Sequence, residues 1–140
     1  MVLAHAVGKR NQMTAKDIVA KTANRLASIP LFVTDGLKFY SRALLGQYGF
    51  WRKYPVTGKR GRPRRDRLVP CKNLRYAQII KIRQGGRLKE VIKKTVFGKE
   101  IDAELISTSL IERLNLTLRQ DNNRISRKTI GFSKKIEALK

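Results

Sequence analysis

Apolar side chains at Ile18, Val19, Ala23 and Leu26, with Thr22 among them, recur at the spacing that gives a helix one apolar face. Thr14-Ala-Lys-Asp17 supplies a start for that helix, with Thr14 as N-cap and Asp17 in the first turn, where a carboxylate suits the macrodipole. Pro30 stops it. Ahead of it, residues 2–7 are a short apolar run closed by Gly8, which reads as a strand or the remnant of one. Leu31-Phe-Val-Thr34 is short, apolar and partly β-branched, the pattern of a buried strand, and it ends at Asp35-Gly36. Leu37, Tyr40, Ala43 and Leu44 then predict a second helix running into Gly46 and Gly49.

Residues 51–67 break this pattern with eight basic residues, two prolines and two glycines, which suits neither a helix nor a central strand. They read as an exposed basic loop containing Lys59, Arg60, Arg62, Arg64 and Arg65. After it, Ile80 and Ile82 alternate with Lys81 and Arg83, and Gly85-Gly86 offers a tight turn, so a β-hairpin is expected with a return strand over Arg87–Phe97. A polar segment, 99–107, leads to a helix from Thr108 whose apolar residues are Ile111, Leu114 and Leu118. From Asn122 the chain is basic again, with Arg127 and Lys128 in that stretch.

Charge changes the picture most. The 140 residues hold 32 Lys+Arg against 10 Asp+Glu, a formal net charge of +22, on a composition that is 41% hydrophobic and so able to form a core. A compact chain this basic repels itself, and a polyanion relieves the repulsion by exchanging condensed counterions for Lys and Arg contacts. Nucleic acid is the partner class that this implies, shared by ribosomal proteins, chromatin proteins and DNA-processing enzymes. Cys71 is the sole cysteine, which excludes a disulfide within the chain and a cysteine zinc site, and it reads as a small buried or half-buried residue. His5 has no second metal ligand near it in sequence. No apolar run approaches the roughly 18 residues of a membrane span, and the start does not have the form of a signal peptide.

Among the ten acids, Asp35 and Glu112 stand apart. Asp35 follows the carboxyl end of a strand, the position beyond which open α/β sheets bind ligands, although Asp-Gly is also a common turn dipeptide. On a helix, Glu112, Asn115 and Arg119 share one polar face, able to meet metal, DNA and phosphate. Ser109-Leu-Ile-Glu112 equally fits a capping box, in which Glu112 reaches back to a backbone N–H. Asp66 balances charge in the basic loop, and Glu90 lies on an exposed strand.

Two segments carry a family resemblance. Pro30-Leu-Phe-Val-Thr-Asp-Gly-Leu-Lys-Phe-Tyr40 is similar to the second-aspartate segment of DDE-type insertion-sequence transposases. Thr108–Arg119, with Arg127-Lys-Thr-Ile-Gly-Phe-Ser-Lys134 beyond it, resembles their glutamate helix and the segment after that helix, and Arg119 stands where many of them have Lys or Arg. The resemblance implies an α/β, ribonuclease-H-like catalytic domain, a mixed sheet flanked by helices. Residues 1–140 would form its C-terminal part, 51–98 the inserted basic loop and hairpin, and 108–120 the glutamate helix. It implies Asp35 and Glu112 as catalytic metal ligands for Mg²⁺ or Mn²⁺. It also implies Arg119, Asn115, the loop cations, Arg127 and Lys128 as DNA contacts. The expected activity is strand cleavage and transfer on transposon-end and target DNA, in a prokaryotic cytoplasm and associated with the nucleoid. The family's first aspartate falls upstream of the part matching residues 1–10, so the chain reads as N-terminally truncated and inactive alone. The alternative is a non-catalytic DNA-binding remnant, or an inhibitor that joins full-length transposase.

Overall fold

The computed structural model describes residues 2–55, 64–99 and 101–122. Helix α1 spans Gln12–Ala23, strand β1 Leu31–Asp35 and helix α2 Lys38–Tyr48. Strands β2 (Gly49–Arg52) and β3 (Arg67–Pro70) pair with each other. Strands β4 (Arg75–Gln84) and β5 (Arg87–Phe97) form the hairpin, and α3 covers Ser109–Asp121. The protein is thus α/β with a mixed sheet: β4 is the centre of the order β1-β4-β5, parallel to β1 and antiparallel to β5.

The sheet is buried on both faces only over its first half. Phe32 and Tyr76 face α1 and α2, joining Ala15, Val19, Ala43 and Leu44 in one cluster. Val33, Ala77 and Ile79 face the other way, against Ile101 and Ile106. The segment expected to be merely polar therefore supplies the cover for the second face, with Ile106 buried. Buried residues on both faces remove the alternation by which a strand is usually recognised, which hides the start of β4 from a pattern reading. Beyond Ile80 the hairpin leaves the core and both faces of it are exposed as far as Thr95.

Several boundaries differ from expectation. Helix α1 begins at Gln12, capped by Asn11, whose Oδ1 accepts from the Thr14 backbone N–H at 2.9 Å and from the Thr14 hydroxyl at 3.0 Å. Thr14 is thus inside the helix. Asp17 lies past the first turn, paired with Lys21 at 2.8 Å, and the helix ends at Ala23, before Leu26 and Pro30. Residues 2–7 form no strand, having no partner ladder. Helix α2 runs through Gly46 to Tyr48 and ends at Gly49, in line with the spacing, whereas the basic segment is narrower than expected, because Trp51, Arg52 and Arg67 belong to the β2–β3 ladder. Asn11→Ala is expected to cost about 1 kcal/mol, the usual loss for an N-cap side chain, measured by urea denaturation. Thr14→Ala should cost less, and the reverse order would restore Thr14 as the cap.

Candidate active site

Asp35 is placed by the local chain and by the strand beside it. Its Oδ1 accepts from the Leu37 backbone N–H at 3.2 Å, closing an Asx turn between β1 and α2. Gly36 suits that turn for a second reason: a Cβ there would sit 3.2 Å from the Ile80 side chain. Beneath the turn lies a polar network. The hydroxyls of Thr34 and Tyr76 are 2.8 Å apart, and the buried Gln78 amide donates to the Tyr76 oxygen at 2.7 Å and to the Leu37 carbonyl at 3.4 Å. Gln78 thereby ties β4 to the turn that carries Asp35. A sequence reading has no access to this residue's role, since a lone Gln among apolar neighbours announces nothing until β1 and β4 are paired.

Opposite Asp35 stands α3. Glu112 lies one turn into that helix, and its Oε1 accepts from Lys81 Nζ at 2.5 Å and from the Thr108 hydroxyl at 2.8 Å. The capping box is not formed: Thr108 is the cap residue, and the Glu112 carboxylate meets side chains rather than a backbone N–H. Lys81 first, then Thr108, hold the Glu112 carboxyl below its ordinary pKa. Asp35 has a cation of its own, Arg10, 3.0 Å from Oδ2.

Asp35 and Glu112 line one cleft of about 630 Å³, together with Tyr40, Lys81, Thr108 and Asn115. The cleft lies at the carboxyl end of the parallel pair, because Asp35 is opposite Ile79 in register and Lys81 comes two residues later on the same strand. Burial and then the Asp35 charge push the Tyr40 phenol up, so it stays protonated and able to donate to an oxyanion. Arg119 is exposed on α3, about 10 Å further along its axis from Glu112, and does not line the cleft. Lys93, on the face of the hairpin that also bears Lys81, donates to the Ala103 carbonyl at 2.6 Å and ties β5 to the segment before α3.

Of the loop cations, Arg64 and Arg65 are described, whereas Lys59, Arg60 and Arg62, like Arg127 and Lys128 near the other end, lie outside the described residues. Arg64, with Arg52 and Arg67, gathers around the Tyr54 ring at 5.5–5.9 Å from its centroid. The Tyr54 backbone N–H donates to Asp66 at 3.0 Å, so that acid shapes the neck of the loop as well as balancing charge. The arginine cluster joins residues on both arms of the loop, and only the β2–β3 pairing reveals it.

No group of three His, Cys, Asp or Glu lies together among the described residues, and no described helix is long and apolar enough to cross a membrane. Over its C-terminal stretch the chain is similar to transposases. The match is to the IS1 transposase family and takes in residues 87–140, from β5 through α3 with Glu112, Asn115 and Arg119. Asp35 lies before the matched residues. No curated protein and no solved structure matches the chain. The family match supports a part in transposition, and with it DNA as a partner.

Proposed function

We propose that this chain is a DNA-binding portion of a DDE-type transposase catalytic domain of ribonuclease-H-like fold, with Asp35 and Glu112 as two of its metal-binding acids. One observation carries the reading: an acid at the carboxyl end of a parallel strand and an acid on the transposase-like helix line the same cleft. The net charge of +22 supplies the affinity for the polyanion on which such a site acts.

The residues suit Mg²⁺ or Mn²⁺ as part of a ligand set. Carboxylate oxygens are the hard donors these ions take, and each of the two acids already draws a protein cation, Arg10 or Lys81. Two acids do not complete a site for two ions, so catalysis calls for a further carboxylate. When bound, such ions activate a water or a DNA 3′-hydroxyl and stabilise the leaving oxygen. The protein's own groups do the rest. Leu37 and Thr108 orient the two carboxylates, Tyr40 offers a hydrogen bond to an oxyanion, and Asn115 and Arg119 extend the α3 face towards phosphate. The partners on this reading are transposon-end and target DNA and a further transposase chain, of this kind or full-length, at the prokaryotic nucleoid.

A second reading, a non-catalytic DNA-binding chain or an inhibitor of transposase, draws on the same two ion pairs, which leave both acids neutralised. Mn²⁺ binding that needs both Asp35 and Glu112 supports the first reading, and its absence favours the second. DNA binding is tested separately. Changing Arg60, Arg62, Arg64 and Arg65 together to Gln is expected to reduce the slope of log affinity against log salt by roughly 4, about one unit per lost phosphate contact. An unchanged slope would remove the loop from the interface.

A further inference from the structure

A second cleft, of about 1060 Å³, opens at the other end of the same parallel pair, lined among others by Ser28, Cys71, Lys72, Asn73, Arg75 and Lys99. Arg75 stands opposite Leu31 at the start of β1, whereas Asp35 is opposite Ile79, so about 13 Å of strand separates the two ends. The two clefts differ in charge. The first contains two acids, and this one has three cations and no carboxylate among the described residues that line it. None of the three cations is held in an ion pair among the described residues.

The cations are presented on fixed backbone. The Cys71 N–H donates to the Tyr48 carbonyl at 3.1 Å and the Leu74 N–H to the Cys71 carbonyl at 3.1 Å, which closes a turn with Lys72 and Asn73 at its tip. Lys99 comes directly after Gly98, whose φ of +93° is the left-handed region. A Cβ at Gly98 would also sit 3.2 Å from both the Arg75 Cα and the Leu74 carbonyl oxygen. Glycine thus lets the end of β5 approach β4 closely enough to bring Lys99 beside Arg75.

We infer that this cleft is a second DNA site, which takes the phosphate backbone of a duplex segment on Lys72, Arg75 and Lys99, with Asn73 and Ser28 as hydrogen-bonding neighbours. It rests on the DNA-binding reading above and goes beyond it, because these residues lie at the opposite end of the β1–β4 pair from Asp35 and line a different cleft from Asp35 and Glu112. Cations that no described carboxylate pairs, on a concave surface, gain from phosphate the release of the duplex's condensed counterions. Contacts to phosphate fix position and carry no sequence information, so the site would hold duplex DNA without regard to sequence.

The chain's only cysteine is a built-in reporter, since Cys71 is half-buried in this cleft. The experiment measures the rate of Cys71 alkylation by a maleimide in the wild-type chain, with and without saturating duplex DNA, and monitors DNA binding by gel shift in the same samples. The expected result is at least a tenfold slowing by DNA. The triple change Lys72→Gln, Arg75→Gln and Lys99→Gln should abolish the protection and reduce the salt slope of binding by roughly 3. Bound DNA with an unchanged alkylation rate overturns the second site and leaves the general DNA-binding reading standing. No gel shift at all removes both. Protection by polyglutamate equal to that by DNA at matched charge also overturns it, in favour of an acidic polypeptide.

Discussion

Leu44→Ala is expected to lower the unfolding free energy by about 3–5 kcal/mol, in the upper range for a buried leucine truncated in a core that cannot collapse around the gap. Leu44 is 1% exposed and lies in the layer that joins α1 and α2 to the sheet through Phe32 and Tyr76. That layer is thin, because its other buried members are small or few: Ala15, Val19, Ala43 and Tyr76. Domains of this size are stable by only about 5–15 kcal/mol, so one such loss leaves the variant near the edge of folding. The measurement is urea denaturation at fixed ionic strength, since self-repulsion at +22 makes stability depend on salt. Leu110→Ala is the matched control. Leu110 is 83% exposed on α3, and its truncation should change stability by no more than about 0.5 kcal/mol. A loss below about 1 kcal/mol for Leu44→Ala, or equal losses for both, would contradict the packing described.

The contrast between these two leucines shows what a linear pattern conveys. Apolar spacing marks both segments as helical, and both are helices, yet it does not tell which helix has a partner. Helix α3 has an apolar stripe at Leu110, Ile111, Leu114 and Leu118 and no buried residue among those described. Strand β1 and its acid were legible because an apolar run ending in Asp-Gly is a local signal. The β4–β5 turn was legible because Gly85 and Gly86 both adopt positive φ, 57° and 80°. What stayed hidden is non-local. The parallel β1–β4 pairing joins residues more than forty positions apart and decides where Gln78 and Lys81 lie. The β2–β3 ladder was hidden by the basic residues at its open end, where Arg52 faces Arg67. Asn11 and Thr14 are both acceptable N-caps, and only the Asn11 hydrogen bonds choose between them. The pairing of Asp35 with Glu112 came from family resemblance and not from spacing. Nothing in the sequence marked Arg10 or Lys81 as the cation on either acid, because both contacts are long-range.

Those two cations lead to the other large expected effect. If Asp35 and Glu112 form a cation site, Lys81 and a divalent ion compete for the same Glu112 oxygen. With Mn²⁺ as the probe, monitored by electron paramagnetic resonance at pH 7, Asp35→Asn and Glu112→Gln are each expected to weaken binding at least tenfold. Lys81→Met is expected to tighten it by up to about fivefold, the equivalent of the ~1 kcal/mol upper value for an exposed ion pair. Both partners are well over a third exposed or close to it, which keeps that gain small. Ionisation does not account for the difference at neutral pH, because the Glu112 carboxyl is charged there with or without Lys81. Its pKa is lowered in the folded chain, so the pair's contribution is complete above the ordinary glutamate value of about 4.5 and is lost as pH falls through the lower folded value. Without Lys81 the pKa rises towards the ordinary value, and Mn²⁺ binding should fail at a higher pH on acidification than in the wild type. Competition at pH 7 and the acid shift are therefore separate consequences of one contact. Should Lys81→Met leave Mn²⁺ affinity unchanged and Glu112→Gln leave it intact as well, the two carboxylates would face the cleft as partners for lysine and arginine alone. The catalytic reading would then fall, while DNA binding, which depends on the basic segments and not on these acids, would remain.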